Sequence, residues 1–300
     1  MTVERIGGGP EAARPRLMPL PATGGPLVMA ILNVTPDSFY DGGRLHGVAG
    51  PLLDRVVDYA ARCVAAGADL LDVGGESTRP GAVPVPEDEE LERVIPVVEA
   101  LARRFPMPIS VDTSSPGVIC AAAGAGAALI NDVRALRRPG AVAAAIAAGL
   151  PVCLMHMRGE PATMQADPQY QDVVAEVRDF LAERVQACVA AGLARDRLLV
   201  DPGFGFGKTL AHNLALLGKL GEISSPGIPV MVGLSRKRMI GELTGRPVAQ
   251  RRAGSVALAM VAALRGAVIL RVHDVAATVD ALRIFAAVGD LPPRKMVERA

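Results

Sequence analysis

Between Arg197 and Thr209 the chain reads RLLVDPGFGFGKT. An apolar run ends on Asp201, a Pro-Gly turn and two more glycines follow, and Lys208 and Thr209 close the stretch. That order allows a buried strand to deliver a carboxylate to a rim, ahead of a loop whose glycines admit something close to the backbone. It does not allow a nucleotide-phosphate loop. Such a loop needs a glycine five residues before the glycine of Gly-Lys-Thr, where this chain has Pro202, and a carboxylate directly ahead of it would repel phosphates. Lys208 and Thr209 are read as the start of the next helix and not as site residues.

A polar residue at or just past the end of an apolar run recurs along the chain, at Asn33, Glu76, Asp112, Asn131, His156, Asp201, Ser235 and Arg271 with His273. The run interiors read as apolar, so the polar groups gather at one end of whatever the runs build. A carboxylate accepts two parallel N–H bonds, so Asp112 and Asp201 suit a ring amide N–H beside an exocyclic amine, as in a 2-amino-4-oxopyrimidine. Asn131 both donates and accepts, which suits the remaining ring nitrogens, and Lys237 offers a donor to a ring oxygen. Asp132 points the other way on an extended chain and is assigned a structural role. Arg271 and His273 share one side and form an anion site, and a guanidinium can also lie flat on a ring. His156, between Met155 and Met157, is assigned to packing or hydrogen bonding. Two Gly- and Pro-rich stretches, 35–43 and 74–82, exceed minimal turns and fit lids over a substrate. In the second, Arg79 and the hydroxyls fit a second anion or carboxylate. No Ser-His-Asp order, catalytic acid pair or Cys/His metal spacing stands out.

The elements that must position these residues repeat a single grammar. Strands are expected at 27–33, 69–73, 108–112, 128–131, 152–156, 198–201, 229–233 and 267–272, each followed by a helical pattern. The runs are nearly continuously apolar, as in parallel strands buried on both faces. Gly67-Ala68, Gly126-Ala127 and Gly266-Ala267 each end a helix and begin a strand. Eight such units favour an α/β fold, a (β/α)8 TIM barrel, over a doubly wound sheet. The expected organisation is an N-terminal arm or short hairpin over 1–26, one barrel domain over 27–290 and a tail over 291–300. Composition narrows the partners. Of 300 residues 50% are apolar and 3% aromatic, and the net charge is +1, which offers neither a basic face nor a stacking platform for nucleic acid. The apolar run 253–270 is broken by Arg265-Gly266 and reads as helix then strand, not as a membrane span. No signal peptide is read at the N-terminus, and Cys63, Cys120, Cys153 and Cys188 read as buried free thiols of a cytoplasmic protein.

Seven motifs in order now carry a resemblance: NVTPDSF with DGG (33–43), ESTRPGA (76–82), SVDT (110–113), INDV (130–133), DPGFGFGKT (201–209), SRK (235–237) and RVHDV (271–275). Over about 27–285 the chain resembles the dihydropteroate synthases, pterin-binding barrels of folate biosynthesis. The resemblance implies a transferase that joins 4-aminobenzoate to a dihydropterin carrying a CH2-diphosphate and releases pyrophosphate, with Mg2+. It implies that Asp112, Asn131, Asp201 and Lys237 hold the pterin, and that Arg271 packs on the pterin face and with His273 holds the diphosphate. Lys237, Arg271 and His273 are the residues assigned to catalysis. Asn33 then meets the metal, Thr78 lies by the diphosphate, and Phe39, Arg79, Pro80, Phe206 and Ser235 shape the aminobenzoate pocket, where sulfonamides also bind in this family. Another pterin barrel, a corrinoid methyltransferase, would lack ESTRPGA and SRK, and a silent binding protein would have no use for Asn33, Arg79 and Lys237 together. Ala30, Tyr40 and the stretch Arg134–Arg138 depart from the family's usual residues. The family precedent is a homodimer, for which the helix Ala253–Leu264 offers a face.

Overall fold

The computed structural model describes residues 25–35, 51–77, 81–160, 163–223, 227–289 and 291–292. Strands and helices alternate along it. They run β1 (Leu27–Asn33), α1 (Pro51–Ala65), β2 (Leu70–Gly74), α2 (Glu87–Arg104), β3 (Ile109–Asp112), α3 (Pro116–Ala125), β4 (Leu129–Asp132), α4 (Ala141–Ala148), β5 (Val152–Met155), α5 (Val173–Ala190), β6 (Leu198–Asp201) and α6 (Leu210–Gly218). Then come β7 (Val230–Gly233), α7 (Arg238–Thr244), α8 (Arg252–Leu264), β8 (Ala267–Val272) and α9 (Val275–Ala287). The strands pair in parallel in chain order, and β8 pairs with β1, so the sheet closes into the expected eight-stranded barrel. The expected N-terminal arm and most of the tail lie outside the described residues.

Alternation along each strand divides the apolar residues between two environments. Val28, Ala30, Leu32, Leu71, Val73 and Ile130 belong to the large core shared with the helices. Leu27, Met29, Leu70, Leu129, Cys153, Leu199, Met231 and Ile269 turn the other way and pack against one another as a plug inside the barrel. Two residues further along the same inward rows stand Asp72, Asn131, Asp201 and Arg271, so the lumen has an apolar lower tier and a polar upper tier. This corrects one expectation, because the strand interiors are not wholly apolar. Asp72 is fully buried in mid-β2 and Ser110 in β3.

Helix ends follow their caps. Gly67, Gly126 and Gly266 take φ of 93°, 104° and 93°, left-handed values that favour glycine. Helix α5 begins at Val173, not near Tyr170, because the Asp172 carboxylate accepts from the N–H groups of Val174 and Ala175. Thr209 caps α6, and His212 returns a bond to the Thr209 N–H. Cys63, Cys153 and Cys188 are buried free thiols, whereas Cys120 is exposed on α3, against expectation. Among the described residues no helix is long and apolar enough to cross a membrane.

Candidate active site at the barrel mouth

The upper tier converges on Arg271. Its Nε donates to Asp72 Oδ2 at 2.6 Å and an Nη2 N–H donates to Asp112 Oδ2 at 2.9 Å. One guanidinium from β8 thereby ties β2 to β3 across the lumen. Burial drives Asp112 up to about 7, although Arg271 pulls the other way. Asp72 was absent from the sequence-derived candidates. Its partner is 199 residues away, and only closure of the barrel brings them together. Its other oxygen, Oδ1, has no hydrogen-bond partner among the described residues.

Asp201 ends β6, and burial pushes it up to about 6 while the Gly203 N–H, 2.7 Å from Oδ1, pulls it down. The loop that follows turns its carbonyls inward. Lys208 Nζ donates to the carbonyl oxygens of Gly203 at 2.9 Å and Phe206 at 3.0 Å, and lies 2.9 Å from His156 Nδ1. Burial lowers the Lys208 amine to about 7, although Asp201 pulls the other way. In its protonated form it only donates, and His156 then accepts through Nδ1 and carries its proton on Nε2. Burial and Lys208 hold the imidazole far below its ordinary range, so it stays neutral. The loop is thus a cradle of carbonyls around a buried amine, the reverse of a phosphate loop. Gly203 has to be glycine here. Its φ is +69°, and a Cβ would stand 1.9 Å from the His156 carbonyl oxygen. The packing and hydrogen-bonding role assigned to His156 is what its contacts show, with the Phe180 ring edge-on at 4.9 Å. Lys208 lies next to α6, as expected, but its side chain is buried in the loop and not a helix start.

Phe206 and Lys237 meet over this loop, with Lys237 Nζ 4.2 Å from the ring centroid. Burial first, and Arg271 second, lower Lys237 to about 8. Phe206 also packs with Val133, Met155, Met157 and Met164, an apolar flank of the mouth. A cavity of about 260 Å³ opens beside it, lined by Gly205, Lys208, Asn213, Lys237, Arg238 and Glu242 among others. Ser235 Oγ lies 3.0 Å from His273 Nδ1 and accepts from the His273 N–H at 3.2 Å. Burial and Arg271 lower His273 to about 4, so it is a neutral imidazole at neutral pH. Arg271 therefore supplies the positive charge of the expected anion site, and His273 a neutral ring. Arg236, between Ser235 and Lys237, has φ 58° and a bidentate pair with Asp274.

The base of the 74–82 stretch is held from β4. Arg134 makes a bidentate pair with Glu76 at 2.8 and 3.1 Å, with both side chains almost buried. The Asp132 carboxylate accepts from the N–H groups of Arg134 and Leu136, and Ala135 and Leu136 both take left-handed φ near 55°. A turn this strained persists because the buried carboxylate fixes it. Asp132 thus has the structural role expected of it. Asn33 ends β1, and a Cβ on Gly74 would lie 3.7 Å from both its Oδ1 and Asp112 Oδ2. Among the described residues no group of three His, Cys, Asp or Glu side chains could hold a metal. A lone amide oxygen fits Mg2+ only in the manner in which that ion is shared with substrate phosphates and water. Phe39, Thr78, Arg79, Pro80 and Tyr40 lie outside the described residues.

The sequence profile of the family described as "Pterin binding enzyme" matches residues 29–273. The chain is 53% identical over 273 residues to the dihydropteroate synthase of Escherichia coli K12, covering 91% of this chain and 95% of that protein. Among solved structures, it matches a Yersinia pestis dihydropteroate synthase in complex with a sulfonamide drug, with TM-score 0.83 and 55% identity over 88% of this chain and 94% of the other. A Xanthomonas albilineans dihydropteroate synthase with 4-aminobenzoic acid matches with TM-score 0.82 and 55% identity over 89% and 94%. A Burkholderia cenocepacia dihydropteroate synthase complexed with 7,8-dihydropteroate matches with TM-score 0.79 and 52% identity over 88% and 91%.

Proposed function

The chain belongs to the dihydropteroate synthase family, and from that premise we propose how its residues carry the reaction. The enzyme condenses 7,8-dihydropterin-6-ylmethyl diphosphate with 4-aminobenzoate to give 7,8-dihydropteroate and pyrophosphate, a step of folate biosynthesis. The observation that carries the assignment is the convergence of Asp112, Asn131, Asp201, Lys237 and Arg271 on one mouth of the barrel.

Asp201 in its ionised form accepts the ring amide N–H and the exocyclic amine of the pterin, Asn131 and Asp112 take the remaining ring nitrogens, and Lys237 donates to the ring oxygen. Arg271 spans Asp72 and Asp112 through Nε and Nη2. Its remaining N–H groups are left for the diphosphate, with His273 as a neutral donor through Nε2 beside it. The C–O bond to diphosphate breaks and its electron pair leaves with the diphosphate. The arylamine lone pair then forms the C–N bond, and the nitrogen loses a proton to solvent or pyrophosphate. The arylamine is neutral at pH 7, so no strong base is required, and departure of the diphosphate is the difficult part. The route is dissociative, because an electron-rich dihydropterin stabilises positive charge on its methylene. Charge on the leaving group is met by Arg271. Asn33 would hold Mg2+ together with diphosphate oxygens, and the ion would supply further charge neutralisation. Phe206 and Ser235 wall the aminobenzoate pocket. The parts given to Phe39, Thr78, Arg79 and Pro80 rest on the family resemblance. The protein works as a cytoplasmic homodimer, for which the apolar groove between α8 and α9, lined by Val256, Met260, Ala281 and Phe285 among others, offers a face.

Incubation with the dihydropterin diphosphate and labelled 4-aminobenzoate, with and without Mg2+, tests the reading. Dihydropteroate is expected with Mg2+ and little without it. Absence of product under both conditions sinks the assignment. Tight binding of aminobenzoate with neither pterin nor pyrophosphate present sinks the proposed order, in which the second pocket forms after pyrophosphate.

A further inference from the structure

The Gly-x-Gly-x-Gly-Lys stretch holds a buried lysine amine that the reaction does not use. We propose that Lys208 is a positioning residue for this reaction, an internal N–H donor around which the 203–207 loop is folded so that Phe206 stands under Lys237. The inference rests on the functional reading above and deepens it.

Lys208 is almost fully buried and forms no salt bridge among the described residues. Its three N–H groups are accounted for by Gly203 O, Phe206 O and His156 Nδ1, all within 3.0 Å, and the His156 carbonyl oxygen lies at 3.5 Å. Gly203, Gly205 and Gly207 all take φ between +61° and +80°, and Cβ atoms on Gly203 and Gly207 would strike the backbone oxygens of His156 and Arg158. The loop is therefore wound tightly against the end of β5, with its carbonyls on the ammonium. Each carbonyl so held fixes a neighbouring functional group. Gly203 also donates to Asp201 at 2.7 Å, and the Phe206 ring lies 4.2 Å below Lys237 Nζ. Without the amine, the Phe206 carbonyl and His156 Nδ1 lose their donor and Gly203 O keeps only the Phe206 N–H at 3.1 Å, an arrangement that a buried polar network does not sustain. Asp201 remains fixed by β6, whereas the backbone of Phe206 is placed by the loop alone and its ring by apolar packing without directional bonds. The loss therefore falls on the aminobenzoate pocket more than on the pterin.

The test uses the full-length enzyme and the variants Lys208→Met and Lys208→Ala, with the wild type run alongside. A wild type without product would count against the functional reading itself, whereas an effect confined to the variants concerns Lys208. For Lys208→Met, KM for aminobenzoate is expected to rise about tenfold, the scale of one lost charge-assisted hydrogen bond, while pterin affinity changes less than about threefold. For Lys208→Ala, ammonium or methylammonium, which can donate into the vacated cradle, is expected to lower KM again. Tetramethylammonium, which has no N–H, is not. If Lys208→Ala is too unstable to assay, the same three additives are compared through Tm, and a rise with ammonium alone of the first and last supports the proposal. Three results overturn it: a wild-type KM in Lys208→Met, an equal loss of pterin and aminobenzoate binding, or no response that distinguishes ammonium from tetramethylammonium.

Discussion

Asp201→Asn separates what the site needs from what the fold prefers. The carboxyl rises from its ordinary 3.8 to about 6 in the fold, chiefly through burial. A carboxyl whose folded pKa lies above its unfolded value costs stability once both states ionise. The cost is absent below pH 3.8, grows up to pH 6 and is complete above it, where it amounts to about 3 kcal/mol. The amide avoids that cost at pH 8 but adds a desolvation cost of its own of about 1–2 kcal/mol, which leaves the variant more stable by about 1–2 kcal/mol and a few degrees in Tm. Binding moves the opposite way. An amide cannot accept both N–H bonds of the ring, and two charge-assisted bonds of about 1.5–3 kcal/mol each correspond to about 10²–10⁴ in affinity. Calorimetric titration with the pterin and thermal melts, both at pH 8, read the two effects. The wild type should also lose affinity as pH falls, first shallowly through about 7 as Asp112 protonates and then more steeply below 6 as Asp201 follows. The variant should lack the second limb. Pterin affinity within threefold of wild type at pH 8 would refute the recognition role, and a variant that melts below wild type would refute the argument from burial.

Three further substitutions, with Gly227→Ala as a control, probe the supports of the site. Asp72→Asn leaves Arg271 bonded to Asp112 but removes its buried counter-charge, so a loss of about 2 kcal/mol and a rise of about tenfold in KM for the pterin diphosphate are expected, and an unchanged Tm and KM would show that Asp72 does not hold Arg271. Gly203→Ala and Gly227→Ala both place a side chain at positive φ, +69° and +83°, but only the first meets an atom within 4 Å. The first should lose at least about 3 kcal/mol, or fail to fold, and the second about 1 kcal/mol; equal melting temperatures would refute the close approach to His156. His273 is lowered to about 4, so it stabilises the fold fully above pH 6.5 and progressively less as pH falls toward 4. His273→Asn should therefore reduce the stability lost between pH 7 and pH 5 by about 2 kcal/mol, measured by denaturant melts; an unchanged loss would show that His273 is not held neutral.

The strands were legible because a strand buried on both faces leaves a short continuous apolar run, and eight such runs admit few closed arrangements. Helix starts were less so. The apolar pattern of α5 reaches back to Tyr170, and only the Asp172 carboxylate decides where its first turn begins. In the site, Asp112, Asn131, Asp201 and Arg271 were legible because each stops or interrupts a run near its end. Asp72 was hidden inside a run, since the sequence gives no sign that a guanidinium from the last strand arrives beside it. Lys208 was misread for a similar reason. Gly-Lys-Thr resembles the opening of a helix, and the acceptor that explains the lysine, His156, lies 52 residues away. The left-handed pair Ala135–Leu136 contains no glycine, so the turn that aims Arg134 at Glu76 gave no local signal.

The plug formed by Leu27, Met29, Leu70, Leu129, Cys153, Leu199, Met231 and Ile269 makes the lumen a cul-de-sac. Everything that enters must leave by the same door. A ring gripped by Asp112, Asn131 and Asp201 lies deeper than anything gripped by Phe206 or Ser235, which stand beyond the strand ends. On the roles proposed for these residues, the deeper guest would have to arrive first, and once joined to the shallower one it would leave only as part of a single molecule. The proposed queueing of the two substrates would in this sense be a property of the closed floor, set by eight side chains outside the proposed binding residues.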